Sequence, residues 1–266
     1  MEKSSRLDAW SAGDAYDLYM GRWSARIAER YLAWLAPKPG GAWIDVGCGT
    51  GALSATILRD CDPQSVVGID PSEGFVAHAA ARQDDPRARF QTADGAQLPF
   101  DAGRFDVLAS GLVLNFIPDR VAALREFQRV VKPGGTLSFY VWDYPGGGIG
   151  LIDVFWSVAA QLDPDARDLD ESARFPFCTR EGLAALCAEA GLANAEITGI
   201  EDTSEFAGFD DFWHPFTLGA GPAPGYCVAL PEAKRSDLKQ ALRQRLGDGP
   251  ISLPLRAWAV RAKRAS

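Results

Sequence analysis

The chain has 266 residues, 47% of them hydrophobic and 23% charged, enough to bury one large α/β core and too ordinary in composition for a disordered or fibrous class. A formal charge of -8 argues against a surface that clamps a phosphate backbone, because such binding needs clustered Lys and Arg, so nucleic acid is not the expected substrate. The polar start and the lack of any apolar run of membrane-spanning length point away from the membrane and toward the cytoplasm. Five scattered cysteines with no CxxC pair, and only two histidines, predict reduced structural thiols and no metal site.

Apolar residues at Ile27, Tyr31, Trp34 and Leu35 give 14–35 the spacing of a helix with one buried face, ended by Pro37 and Pro39. A strand over Ala42–Val46 follows, then a glycine loop and a helix through Leu53, Ile57 and Leu58. Ser65–Asp70 is a second strand that stops at an acid, with a helix from Phe75 to Gln83 behind it. Arg89–Asp94 and Arg104–Ser110 read as the third and fourth strands, and Asp119–Val131 as an amphipathic helix. Lys132-Pro133-Gly134-Gly135 breaks that helix before a fifth strand over Thr136–Trp142.

After Gly146-Gly147-Gly148, the best candidate hinge, come an apolar stretch over 149–162, an acidic segment over 163–171 and a helix over 179–190 that Gly191 ends. Ala195–Ile200 suggests a sixth strand. Residues 202–224 are aromatic and glycine-rich without clear period, 231–246 form a helix, and 251–260 alternate as a last strand. Strands alternating with helices imply crossover connections, hence a doubly wound, mostly parallel seven-stranded sheet in one domain. Its expected parts are N-terminal lid helices (about 1–36), a cofactor-binding core (about 37–145), an inserted cap (about 146–178) and the C-terminal part of the sheet with an irregular insertion (about 179–266).

The chemistry concentrates in Asp45-Val46-Gly47-Cys48-Gly49-Thr50-Gly51, where alternate glycines let a ligand lie against bare main chain. By spacing alone, Gly47, Gly49 and Ala52, with Asp70 about twenty residues on, also satisfy the dinucleotide fingerprint of a nicotinamide-dependent oxidoreductase. Asp45 separates the two readings. A carboxylate at the strand's ligand end would repel a pyrophosphate and suit a cationic group, and S-adenosylmethionine carries an ammonium and a sulfonium with no phosphate.

At this point the sequence resembles the class I S-adenosylmethionine-dependent methyltransferases, especially the methyltransferase type 11 branch. The loop from Asp45 to Gly51, the strand end Val67-Gly68-Ile69-Asp70, the run Asp94-Gly95-Ala96-Gln97-Leu98-Pro99-Phe100, Phe105–Ser110 and Leu124–Gly135 are similar to that family's motifs in the same order. The resemblance is strong over about 36–142 and weaker elsewhere. It implies a Rossmann-like fold and a donor site of Asp45, Gly47, Cys48, Gly49, Gly51, Asp70, Pro71, Asp94, Gly95 and Gly111. Asp70 would accept the ribose hydroxyls, Asp94 the adenine amino group beside the Gly95 amide, and Asp45 the methionine ammonium. Tyr16, Tyr19 and Arg22 resemble the N-terminal helix that folds over the donor in this branch, with Arg22 facing the methionine carboxylate. Each acid also has a plainer reading, as a helix cap or a turn residue.

Methyl transfer from a sulfonium needs alignment and exclusion of water more than a catalytic triad. Asn115, Trp156, Trp213 and His214 are candidates for lining the pocket of a small-molecule acceptor; for His214 and the aromatics, simple packing is the competing reading. The sequence lacks the Asn/Asp-Pro-Pro-Tyr motif of many nucleic-acid amino methyltransferases. A protein of this fold that binds the donor without turnover stays open, as do the acceptor, the catalytic residues and the oligomeric state.

Overall fold

The computed structural model describes residues 17–265. Its strands are β1 (Ala42–Val46), β2 (Ser65–Asp70), β3 (Ala88–Thr92), β4 (Phe105–Gly111), β5 (Val131–Trp142), β6 (Glu196–Phe206) and β7 (Ile251–Lys263). They form one sheet in the order β3-β2-β1-β4-β5-β7-β6, parallel from β3 to β5, with β7 antiparallel to β5. The α-helices are α1 (Arg22–Leu35), α2 (Ala52–Asp60), α3 (Glu73–Arg82), α4 (Arg120–Val130), α5 (Gly150–Leu162), α6 (Glu171–Arg174), α7 (Arg180–Glu189), α8 (Phe209–Trp213), α9 (Pro222–Ala229) and α10 (Glu232–Leu246). No helix among the described residues is long and apolar enough to cross a membrane.

The winding reverses at β1, which pairs with β2 on one side and β4 on the other. In an open α/β sheet that reversal leaves a crevice beyond the carboxyl ends of the two strands, where ligands bind. Local chemistry fixes the helices that frame it. Ser72 caps α3 by accepting from Phe75 N at 3.3 Å, and Asp119 caps α4 by accepting from Ala122 N at 2.9 Å. Trp43 and Ile44 of β1, Leu108 of β4 and Leu137 of β5 are fully buried, the continuous apolar run of strands covered on both faces.

The chain divides into two compact units. The core unit comprises Ser24–Trp142, Phe177–Ile200 and the residues from Ala257 on; the accessory unit holds the described residues up to Trp23, Asp143–Pro176 and Glu201–Arg256. All five cysteines are buried, and none of them forms a disulfide among the described residues.

The structure departs from the sequence reading at three places. Lys132-Pro133-Gly134-Gly135 does not precede β5 but lies within it, as an irregularity across which the register jumps from Phe105↔Val131 to Val107↔Thr136. Segment 202–224 is not irregular: β6 runs on to Phe206 and is followed by α8, a short 3₁₀ helix over His214–Thr217 and α9. The expected hinge at 146–148 is a clamped turn. Asp143 accepts from Gly146 N at 3.0 Å and from Arg256 Nε at 2.6 Å, while Gly148 N donates to the Asp143 carbonyl at 2.8 Å.

Candidate functional site

The glycine loop leaves β1 at Val46 and is pinned where it turns. Gly47 N and Cys48 N both donate to the Ile69 carbonyl at 2.8 Å, and Gly51 N closes the turn on the Cys48 carbonyl at 2.8 Å. Gly47 lies at φ +74° beneath Val113, whose side chain already fills the space a Cβ would take. Gly49, at φ +52°, has open space where its Cβ would point, so a ligand can reach bare backbone there.

Three acids sit at the carboxyl ends of successive strands. Asp45 is 1% exposed and takes a hydrogen bond from Ser54 Oγ of α2 at 2.7 Å on one oxygen. Its other oxygen, Oδ1, is buried with no partner. Burial, with a smaller contribution from the Asp70 charge, raises this carboxyl to about 7. Asp70 is buried too, and its two oxygens accept from Gly49 N (3.1 Å) and Ser72 N (2.9 Å), so the glycine loop and the start of α3 hold one carboxylate between them. Desolvation raises its pKa. Each oxygen keeps a second lone pair for a ligand. Asp94, beyond β3, is exposed and accepts from Ala96 N at 2.8 Å, the turn geometry that was its plainer reading. Beside it, Gly95 lies so close that a Cβ there would stand 3.0 Å from Val46 of β1. Pro71 is exposed directly after Asp70, whereas Cys48 is buried, its thiol pKa raised mainly by desolvation and then by Asp45.

The end of β4 closes the other side. Gly111 makes room for Tyr140, whose hydroxyl would stand 2.6 Å from an added Cβ; its need for glycine is therefore met by packing. Leu112 then takes φ +63°, a left-handed conformation that costs a branched residue on the order of 1 kcal/mol. That turn sets Val113 over Gly47 and leads into a 3₁₀ turn over Leu114–Phe116. Asn115 in this turn is 2% exposed, and neither its Nδ2 nor its Oδ1 has a partner.

The remaining predicted residues belong to the accessory unit. Tyr16 lies outside the described residues. Tyr19 is buried edge-on against Phe216 at 5.8 Å, and Arg22 stacks over Trp23 and Phe206 and meets Asp211 at 3.3 Å. Trp156 is interior and donates its indole N–H to the buried Glu171. Trp213 is buried against Phe209, while His214 is exposed. Tyr19, Arg22, Trp156 and Trp213 each pack on other residues of their own unit, and the geometry that converges on a ligand edge is that of the core unit.

Sequence reasoning missed Ser54, Val113 and the left-handed Leu112, because their roles arise through space. The residues present fit the donor implied by the motifs. An unmet buried carboxylate oxygen suits an ammonium, a fixed carboxylate with spare lone pairs suits a diol, and the open face at Gly49 admits a chain against the loop.

A family profile described as a methyltransferase domain matches residues 44–139. The demethylmenaquinone methyltransferase of Beutenbergia cavernae is 33% identical over 167 residues, 59% of this chain and 68% of that protein. That of Staphylococcus carnosus is 29% identical over 181 residues, 64% of this chain and 75% of the relative. Among solved structures, Haemonchus contortus phosphoethanolamine N-methyltransferase 2, in complex with S-adenosyl-L-methionine, aligns with a TM-score of 0.63 at 16% identity, over 99% of this chain and 60% of that one. At that identity the likeness attests the fold.

Proposed function

The chain belongs to the class I S-adenosylmethionine-dependent methyltransferases, and on that premise we propose that it passes a methyl group to a small, partly apolar metabolite, leaving S-adenosylhomocysteine. The family uses S-adenosylmethionine, and this displaces the nicotinamide alternative. The buried, partnerless Asp45 Oδ1 carries the assignment of the site. It marks where a cation completes the hydrogen bonding that folding leaves open.

In this reading Asp45, oriented by Ser54, meets the methionine ammonium. Asp70, held by the Gly49 and Ser72 amides, accepts from the ribose hydroxyls. Asp94 and Gly95 face the adenine, with Pro71 and Cys48 alongside and the Gly47–Gly51 loop lying against the methionine chain. Bound there, the donor supplies an electrophilic methyl group on a sulfonium. The protein's share is to align the acceptor behind that methyl and to exclude water, and Asn115 is the polar residue of the core unit best placed to orient it. The names of the curated relatives support a small-molecule acceptor, and the acidic composition supports one that is not nucleic acid. We place the reaction in the cytoplasm.

Calorimetry with S-adenosylmethionine and S-adenosylhomocysteine tests the site. Asp70→Ala removes charge-assisted bonds worth about 1.5 to 3 kcal/mol each and is expected to weaken binding about a hundredfold while circular dichroism stays native. Unchanged affinity overturns the ribose assignment. No binding of either compound at about 100 micromolar overturns the donor site as a whole. A methyl-donor turnover assay on a metabolite pool separates catalysis from binding alone.

A further inference from the structure

Arg120 occupies a place that folding alone gives no reason for a cation to hold. It is the first residue of α4, where the helix dipole opposes positive charge. Its guanidinium is half-buried, stacked 4.2 Å over the Phe177 ring, and its pKa is lowered mainly by desolvation. Nη2 donates to the Asn115 carbonyl at 3.1 Å, Nε is buried without a partner, and among the described residues no carboxylate lies within ion-pair distance. The adjacent Asp119 is committed to capping α4 through Ala122 N. Asn115, to which Arg120 is tied, is buried with both ends of its side-chain amide unmet, and it stands two residues after the Val113 that covers Gly47. One small region beside the glycine loop thus holds a half-buried cation with no carboxylate partner and three unmet hydrogen-bonding atoms, which a ligand would complete.

Resting on the methyltransferase reading, we infer that Arg120 and Asn115 form the subsite that holds an anionic oxygen group of the methyl acceptor, which makes the acceptor a small organic acid. The guanidinium fork matches a carboxylate, the Asn115 amide supplies a further donor, and the Phe177 ring covers one face of the fork and holds its orientation. Arg120 here is a specificity-determining residue, distinct from the acids that hold the donor.

The test uses the full chain saturated with S-adenosylhomocysteine and follows the arginine Nε–H resonances by NMR while benzoate, or its uncharged isostere benzamide, is added. Benzoate is expected to shift one resonance saturably, that resonance to be missing from Arg120→Met, and benzamide to leave it unmoved. Arg120→Met should weaken benzoate binding by about tenfold or more, and Asn115→Ala by a smaller factor. Calorimetry on the same proteins before S-adenosylhomocysteine is added should give affinities for it within about twofold of wild type, separating this inference from the donor reading on which it rests. Absence of a saturable shift, or an equal response to benzamide, overturns it. So does a tenfold loss of S-adenosylhomocysteine affinity in Arg120→Met, which would return the guanidinium to the donor site. Should Arg120→Met fold poorly, Asn115→Ala and the wild-type pair of titrations still decide the question.

Discussion

Two buried carboxylic acids, one in each unit, are raised to about 7 by the same cause and differ in what they leave unmet. Glu171 in the accessory unit is enclosed, its carboxyl met by the Trp156 indole N–H and by its own backbone amide, with Trp156 packed on Phe155 and Tyr226. Asp45 in the core unit is enclosed too, yet one of its oxygens has no partner. Burial therefore shifts both groups, and only the second has hydrogen bonding left for a ligand to complete. A perturbed acid by itself does not mark a site, and the proposal for Asp45 rests on the unmet atom beside open backbone.

The strongest way to break this contrast is Glu171→Gln. Burial raises Glu171 from 4.5 to about 7, so the folded protein holds the proton more tightly than the unfolded chain. The resulting stability is fully present below about pH 4.5 and is lost as pH rises through about 7, on the order of 3 kcal/mol. Thermal unfolding from pH 5 to 8 should show that slope in wild type and a flatter one in Glu171→Gln, with S-adenosylhomocysteine affinity unchanged. Gly47→Ala comes next, at about 2 kcal/mol, because it sets a Cβ in a left-handed residue and against Val113. Chemical denaturation would measure that loss, with weaker donor binding beside it.

Asp45 sharpens the contrast through protons. An ammonium partner favours the ionised acid, so donor binding releases a proton, and affinity should fall about tenfold per pH unit at most as pH drops below about 7. Calorimetry in buffers of different ionisation enthalpy reads that proton directly. Asp45→Asn should abolish the release and weaken binding, whereas Glu171→Gln should leave both intact. The smallest effect is Ser72→Ala, which removes the α3 cap for about 1 kcal/mol. It keeps the amide that holds Asp70, so donor affinity should barely move.

The core was legible because its punctuation is local. Glycines, prolines and strand-terminal acids stand within a few residues of what they shape, and β1 and β2 have the bounds read from sequence. The accessory unit was not, since α6 and α8 are too short for a helical period to show, and the order of 202–224 comes from rings packed across the chain, such as Phe155 stacked on Phe216 at 4.5 Å. The glycines 146–148 looked free because Arg256, which clamps Asp143 beside them, is distant in sequence. In the proposed site, Asp45, Asp70 and the loop are the residues that spacing alone singles out. Arg120 could not, because a helix-start arginine becomes notable only when its missing counter-charge is seen in three dimensions.

Val113 stands where a side chain on Gly47 would go, and the left-handed Leu112 before it fixes that direction. The two positions are therefore one unit of variation. A lineage can enlarge residue 47 only after residue 113 has shrunk, and the reverse order passes through a crippled intermediate. Val113→Ala should rescue part of the loss in Gly47→Ala, leaving the strain of the left-handed backbone and a Cβ of residue 113 still 2.8 Å from the added one, and that coupling ties the history of the loop to that of the β4 turn facing it.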